Sequence, residues 1–309
     1  MISFLALAVL SAGAAGVRIG DLYYELDYST KVATVTYQST GEGNYSYLPS
    51  SVVIPDQVTH GGTTYKVLNI GSLAFANCSR IESISIPASV TDIGVLYHTS
   101  YANRNPNDNP NYYASVFKGC TSLREVRFED GSNSVRLGTS YYQVQPSTDK
   151  LYGRGLFADC PLEEVYIGRN IAYLSIVDSS VQSFASRPAF HGYSAFFNQT
   201  KLFKVTVGPN VTTLPNYLFY KCGSIRELDL GVSLERVGDH CFDGCASLTA
   251  VELPNTVSSI GSYSFHDCRS IQSFALANVT EIGANSFDSA ISLKHLSLPL
   301  SLTKIGSAA

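Results

Sequence analysis

The sequence predicts an α/β solenoid: a right-handed coil with a parallel β-sheet along one face and an N-terminal β-hairpin cap. Three observations carry that expectation. One pattern of apolar, cysteine and glycine positions returns about every 23 residues, and a period of that length marks stacked repeats. Each recurrence contains a segment of the form L-x-x-L-x-L, which reads as a short strand. The stretch ahead of the first recurrence alternates apolar and polar residues about a turn, as hairpins do.

The repeat is plainest in VGDHCFDGCASLTAVELPNTVSSIG, residues 237–261, where Phe242, Cys245, Leu248, Val251 and Leu253 are the apolar marks. Residues 260–283 fill the same slots with Phe265, Cys268, Ile271, Phe274 and Leu276. Residues 282–306 repeat them through Phe287, Ala290, Leu293, Leu296 and Leu298, and residues 214–238 through Phe219, Cys222, Ile225, Leu228 and Leu230. A single unit buries five or six apolar side chains, roughly 2 kcal/mol each. Ordering its backbone costs about 1 kcal/mol or more per residue. A lone unit is therefore unfolded, and only stacking makes a stable core.

Taken in order, residues 1–16 (MISFLALAVLSAGAAG) read as a secretory signal peptide, with a short apolar run and the small residues Ala12-Gly13-Ala14 at a cleavage position. No basic side chain precedes Arg18, which departs from the usual pattern; the competing reading is an apolar N-terminal strand. The run is too short to span a bilayer, and no other segment has spanning length. Residues 17–69 form the N-terminal cap and a half-repeat, with a hairpin turning at Tyr28-Ser29-Thr30 and strands at Val52-Val53-Ile54 and Tyr65-Lys66-Val67. Residues 70–309 form the array of about eight units. Within a unit the Phe-x-x-Cys segment reads as a turn of helix, and the Ile-Gly pair as a second short extended piece.

Six of the seven cysteines, Cys78, Cys120, Cys160, Cys222, Cys245 and Cys268, fall in one slot, which Thr200 and Ala290 occupy in the remaining units. A slot that takes Cys, Thr or Ala asks for a small buried side chain, so the thiols are expected free and packed. Cys241 sits where other units carry Ala or Ser before the Phe.

The segment IGSLAFANCSRIESISIPASVTDIG, residues 70–94, carries Ala74-Phe75, Cys78, Ile81, Ile84, Ile86-Pro87, Ser89-Val90 and Ile93-Gly94. This pattern resembles the BspA-like leucine-rich repeats of bacterial surface proteins, over roughly residues 20–306. The resemblance implies a leucine-rich-repeat scaffold outside the cytoplasm, secreted or on the cell surface, that adheres to host matrix proteins or to other cells. It fixes no particular ligand, because a shared scaffold is not a shared site.

The spacing of the phenylalanine marker locates departures from the regular array. Phe219, Phe242, Phe265 and Phe287 stand 22 or 23 residues apart, whereas Phe75, Phe117, Phe157 and Phe197 stand 40 to 42 apart. Three successive units therefore carry inserts, at 95–115, 139–154 and 176–193. Inserts at one phase emerge from one edge of a solenoid. Their tyrosines, Tyr97, Tyr101, Tyr112, Tyr113, Tyr141, Tyr142 and Tyr193, are candidate contact residues, since Tyr gives large contact area at low entropic cost. Self-packing loops with no ligand are the plainer reading of the same residues.

The second candidate surface is the outer side of the strand ladder. One expected column runs Ser83, Glu125, Glu164, Lys204, Glu227, Ala250, Ser273 and His295; the next runs Ser85, Arg127, Tyr166, Thr206, Asp229, Glu252, Ala275 and Ser297. Arg127, Tyr166 and Glu227 are its candidate binding residues, against the reading of an ordinary solvated sheet.

Catalytic motifs are missing from the sequence: it holds no G-x-S-x-G, H-E-x-x-H, P-loop or dinucleotide-binding glycine pattern. His240 and His266 stand near Cys245 and Cys268 at spacings that superficially suit a metal, but the repeat explains those cysteines, so no metal and no cofactor is expected. Charged residues are 15% of the chain and the net charge is −4, which gives no basic footprint for nucleic acid. The expected function is non-catalytic binding of an extracellular protein or glycan. Its rivals are a structural, self-assembling module and, less favoured, a glycan-active enzyme. The array runs to Lys304-Ile305-Gly306 without a polar cap, and the corresponding expectation is either end-to-end self-association there or a fragment of a longer chain.

Overall fold

In the computed structural model, residues 16–38, 45, 47–71, 74–95, 116–117, 119–137, 143–144, 151–152, 156–157, 159–173 and 195–309 are described. Two parallel ladders run along the coil. In the first, Ser51–Val53, Ser83–Ile86, Glu125–Phe128, Glu164–Ile167, Lys204–Val207 and Glu227–Asp229 pair in that order. Ala250–Glu252 and Ser273–Ala275 form a separate parallel pair at the same phase of the repeat. The second ladder runs Val32–Thr36, Thr63–Gly71, Asp92–Val95, Val135–Leu137 and Ile171–Tyr173. It resumes as Thr213–Leu214, Arg236–Val237, Ser259–Ile260, Glu281–Ile282 and Lys304–Ile305.

The cap is a three-stranded antiparallel meander. Val17–Ile19 pairs with Leu22–Asp27, which pairs with Val32–Thr36. Its turn is held by the Asp27 carboxylate, which accepts the Ser29 amide, the Ser29 hydroxyl and the Thr30 amide. The last cap strand then pairs parallel with Thr63–Gly71, so the meander serves as the coil before the first repeat and closes that end of the core. A second hairpin, Gln57–His60 with Thr63–Gly71, turns at Gly61-Gly62, both left-handed with φ 56° and 77°.

The Ile-Gly pairs are explained by close approach of coils. A Cβ on Gly261 would stand 2.6 Å from the Asp239 backbone nitrogen, and one on Gly283 2.3 Å from that of Ser262. Only a residue without a side chain fits there.

The core is a column of rings. Phe75, Phe117, Phe157, Phe196, Phe219, Phe242, Phe265 and Phe287 stack coil on coil with centroids 4.8 to 6.0 Å apart. The column passes through Phe196, not the expected Phe197; Phe197 lies outside it and stacks on Tyr220.

The cysteine slot also differs from expectation. All seven thiols are free and buried, as expected. Yet five of the six slot cysteines do more than fill space: each directs its sulfur at the Phe carbonyl of the preceding coil. Cys120 meets Phe75 at 3.0 Å, Cys160 meets Phe117 at 3.2 Å, and Cys222, Cys245 and Cys268 meet Phe196, Phe219 and Phe242 at 2.8, 3.4 and 3.2 Å. In the unit expected to place Thr200 in the slot, Thr200 is exposed and Gln199 takes the position, donating Nε2 to the Phe157 carbonyl at 2.8 Å. Burial pushes the Cys78 and Cys222 thiols up to about 12, so they are protonated donors rather than reactive thiolates.

The Phe-x-x-Cys segments form single hydrogen-bonded turns, and every regular element among the described residues is a strand. The residue before the slot residue is left-handed in coil after coil: Asn77, Asp159, Asn198, Lys221 and Asp267 have φ between 55° and 66°. An α-helix cannot continue through such a position. Its amide turns outward instead and bonds the following coil, as Lys221 does to Asp243 O and Asp267 to Asp288 O.

The largest of the buried polar side chains is Arg169. Arg169 is wholly buried and donates to three carbonyls two coils upstream, Nη1 to Ala88 and Val90 at 2.7 and 2.6 Å and Nη2 to Pro87 at 2.7 Å. Burial pulls the guanidinium down to about 10, still charged at neutral pH. At the far end, the last coil leaves Ile291, Leu298, Leu300 and Ile305 exposed.

Candidate functional site

The outer face of the first ladder is built by strict alternation. Along Glu125–Phe128, Glu164–Ile167 and Lys204–Val207 the second and fourth side chains are buried and the first and third are not. Parallel register then lines up the outer residues. Ser83, Glu125, Glu164, Lys204 and Glu227 are consecutive partners in one column, and Ser85, Arg127, Tyr166, Thr206 and Asp229 in the other. Both columns stand as expected up to that point. Ala250 pairs with Ser273 and Glu252 with Ala275 in the separate pair. His295 and Ser297 lie in no strand, so the ladder ends before the last coil.

Neighbouring coils hold one another's side chains. The Arg127 guanidinium lies 3.8 Å from the centre of the Tyr166 ring, and the Tyr166 hydroxyl donates to Asp130 at 2.7 Å. Burial, and then the Asp130 carboxylate that accepts this hydrogen bond, raise the Tyr166 pKa. Lys204 donates to Glu164 at 2.8 Å, and this hydrogen bond and charge raise its pKa. Beside these columns Arg124 pairs with Glu163, and Arg226 lies 4.2 Å from the Phe203 ring centre. These contacts are exposed and individually weak. Together they present two rings, four bases and several acids on neighbouring coils.

Of the expected contact residues, the structure brings Arg127 and Tyr166 together. Glu227 stands in the other column beside Lys204, two coils from Tyr166. Tyr97, Tyr101, Tyr112, Tyr113, Tyr141, Tyr142 and Tyr193 lie outside the described residues. The middle insert contains a short antiparallel pair, Gln143–Val144 with Leu151–Tyr152, which the sequence reading did not anticipate. The reading also missed Asp130 and Phe203. Phe203 carried a visible signal, since it puts a large ring at a position that is polar in the neighbouring coils. Asp130 had none beyond its place just after the strand.

The histidines form a separate cluster on the turn edge. Nδ1 of His240 and Nδ1 of His266 lie 2.7 and 2.9 Å from the two oxygens of Asp243, and Lys221 Nζ lies 3.9 Å away. Burial raises the Asp243 carboxyl, but the bonds from His240 and His266 and the nearby positive charges outweigh it and leave its pKa lowered. His240 is also stacked between Tyr217 and Tyr263 at 4.6 Å on either side. The sulfurs of Cys245 and Cys268 turn away into the core. Among the described residues no group of three or more His, Cys, Asp or Glu side chains is arranged to hold a metal, and no helix is long and apolar enough to cross a membrane.

A coil of laddered strands with a mixed polar and aromatic outer face is the architecture of a repeat protein. The chain matches the family described as BspA type leucine rich repeat region, in 6 copies over residues 50–145 and 191–309. It belongs to that family. Among solved structures it is similar to a leucine rich repeat protein from T. pallidum, at 18% identity over 90% of each chain with a TM-score of 0.45. A leucine-rich repeat protein from Bacteroides ovatus is 17% identical over 94% of this chain and 90% of that one, with a TM-score of 0.32. A leucine rich cell surface protein from Faecalibacterium prausnitzii is 15% identical over 97% and 96%, with a TM-score of 0.28. The search of curated proteins found no match.

Proposed function

We propose that this chain is a non-catalytic adhesion module acting outside the cytoplasm, exported by residues 1–16 and binding host matrix proteins or other cells. The observation that carries the reading is a coincidence of position. The inserts immediately precede the coils whose outer face is charged and aromatic, the coils of Arg127, Tyr166 and Lys204. On this reading the loops and the strand face act together in binding.

The test is binding of the purified protein to immobilised matrix proteins, with two variants. Arg127→Ala/Tyr166→Ala removes the stacked pair, and loss of an aromatic anchor commonly costs about 2 kcal/mol or more, so affinity falls more than tenfold while the melting temperature stays near the parent's. In the second variant each insert becomes a short turn. The later coils close without inserts, so this protein keeps its melting behaviour and loses binding. Parent-like binding by both variants refutes the reading. Unfolding of the trimmed protein makes the inserts structural.

A second reading, a module that self-associates, is favoured by the exposed apolar side chains Ile291, Leu298, Leu300 and Ile305. Concentration-dependent mass in light scattering, abolished by Leu298→Ser/Leu300→Ser, supports it.

A further inference from the structure

A cleft of about 630 Å³ opens near the capped end, beside the start of the column that continues through Ser85 and Arg127. Three stretches of chain build it. The half-repeat supplies Val53 to Asp56 with Lys66 and Leu68, the first full coil supplies Pro87, Ala88, Ser89 and Thr91, and the second supplies Glu129 and residues 131–133. Its size falls in the range of sites for small organic ligands. We propose that this cleft is a saccharide-binding site, taking a short neutral oligosaccharide; the proposal rests on the reading of the chain as a binding module and adds a second site to it.

The floor is built to be stiff. Arg169 reaches beneath the loop 87–90 and holds the carbonyls of Pro87, Ala88 and Val90 from inside. Gly131 gives the loop its seat, because a Cβ there would stand 3.0 Å from the Ala88 Cβ and 3.4 Å from the Arg169 Cδ. A loop clamped in this way loses little freedom when a ligand lands on it, which is the condition for binding small polar molecules at all.

The lining selects the ligand class. Asp56, Lys66 and Glu129 put two carboxylates and one ammonium around the cleft. The acidic excess disfavours anions, and the ammonium offsets part of that excess. One Glu129 oxygen accepts the Ser85 hydroxyl at 2.8 Å, leaving the other for a second donor. Carboxylates accept from hydroxyls, while the Asn133 amide both donates and accepts. Val53, Pro55, Leu68 and Pro87 add apolar patches suited to the C–H faces of a sugar ring. Ser89, which lines the floor, buries its hydroxyl oxygen with no hydrogen-bond partner.

The test is amide chemical-shift mapping on the full chain, titrated to millimolar concentration with glucose, galactose, mannose, fucose and N-acetylglucosamine and with their commercially available trisaccharides. The expected result is saturable shifts at residues 87–91 and 129–133 with at least one sugar. Asp56→Ala/Asn133→Ala, both exposed positions, should weaken that binding at least tenfold with an unchanged spectrum elsewhere. Absence of shifts with every sugar overturns the proposal, as do shifts confined to the strand face or the inserts. Shifts at 87–91 produced by a short unrelated peptide and not by sugars overturn the saccharide class. Matrix-protein binding of the Asp56→Ala/Asn133→Ala variant is measured in parallel. If it is retained while sugar binding is lost, the cleft and the adhesion surface are separate sites; if sugars fail and matrix binding persists, only the cleft proposal falls.

Discussion

Arg169 offers the sharpest test of how the coils are held together. It is fully buried and makes three charge-assisted hydrogen bonds of 2.6 to 2.7 Å to a loop two coils away. Hydrogen bonds involving a charged group contribute about 1.5–3 kcal/mol each. Against them stands the desolvation of the guanidinium, several kcal/mol, visible in the fall of its pKa to about 10. Truncation to Ala removes the charge and its desolvation, strands the Ala88 and Val90 carbonyls while the Pro87 carbonyl keeps the Val90 amide, and leaves a cavity; the expected net loss is about 3–5 kcal/mol. Arg169→Met keeps the stem volume and loses somewhat less, and Arg169→Lys, which keeps one charged donor group, loses least. Urea melts followed by two probes read the change, since a repeat array need not unfold as one unit. The midpoint should fall at unchanged m value, with the amides of 87–91 the first to lose exchange protection. A loss under about 1 kcal/mol for Arg169→Ala, or a Met variant more stable than the parent as some buried ionic groups allow, would refute the reasoning.

Further expectations follow from the same contacts. Thiol labelling without reductant should be slow in the native protein and reach all seven cysteines after unfolding; a smaller final number would reveal a disulfide. Gln199→Ala should cost about 0.5–1.5 kcal/mol by removing the side-chain hydrogen bond to the Phe157 carbonyl, which keeps the Cys160 amide, and Gln199→Cys should recover most of it, whereas a slot that measured size alone would favour Ala. Asp243→Asn should destabilise by about 1–3 kcal/mol at neutral pH. Because the folded-state pKa of Asp243 is lowered, its contribution is present above the ordinary Asp value, about 4, and disappears as pH falls through the folded value. The Asn variant should therefore show a smaller further loss in acid melts than the parent.

The repeat period, the strand ladder and the cap were legible because each is written in positions the core must fill. A buried ring every 22 or 23 residues leaves little choice of fold, and alternation in L-x-x-L-x-L fixes which side of the strand faces out. What the sequence hid was hydrogen bonding. A slot filled by Cys, Cys and Cys reads as size until the sulfurs are seen 2.8 to 3.4 Å from the Phe carbonyls. The register error at Phe197 came from the same cause. A donor slot admits Gln199, whereas a size slot pointed to Thr200 and moved the ring one place along. A local signal was nonetheless present. The residue ahead of the slot reads Asn77, Gly119, Asp159, Asn198, Lys221, Gly244 and Asp267, mostly types that accept a left-handed backbone. Aligning Asn198 with Asn77 puts Gln199 in the slot and Phe196 in the column, and it argues for a turn over a helix.

The outer face was legible to a different degree for a physical reason. Parallel register carries outer residues from coil to coil, so the columns could be drawn correctly as far as the strands continue. Which outer residues touch could not, because that depends on side-chain length and direction across a gap of about 4.8 Å between strands. Arg127 lies over Tyr166 because the long guanidinium stem crosses one coil; Glu227 does not join them because two coils separate it from the ring. The same geometry restrains what the face can do. Its bases are already engaged, Lys204 by Glu164 and Arg127 by Tyr166, whereas Glu125 and Glu252 stand exposed on the strands. A partner meeting this face encounters a surface whose positive groups are occupied and whose outlying carboxylates are open, so basic partner residues are favoured at Glu125 and Glu252. Raised salt should weaken such contacts first, leaving the apolar and stacking component around Tyr166 as the part of the affinity that persists.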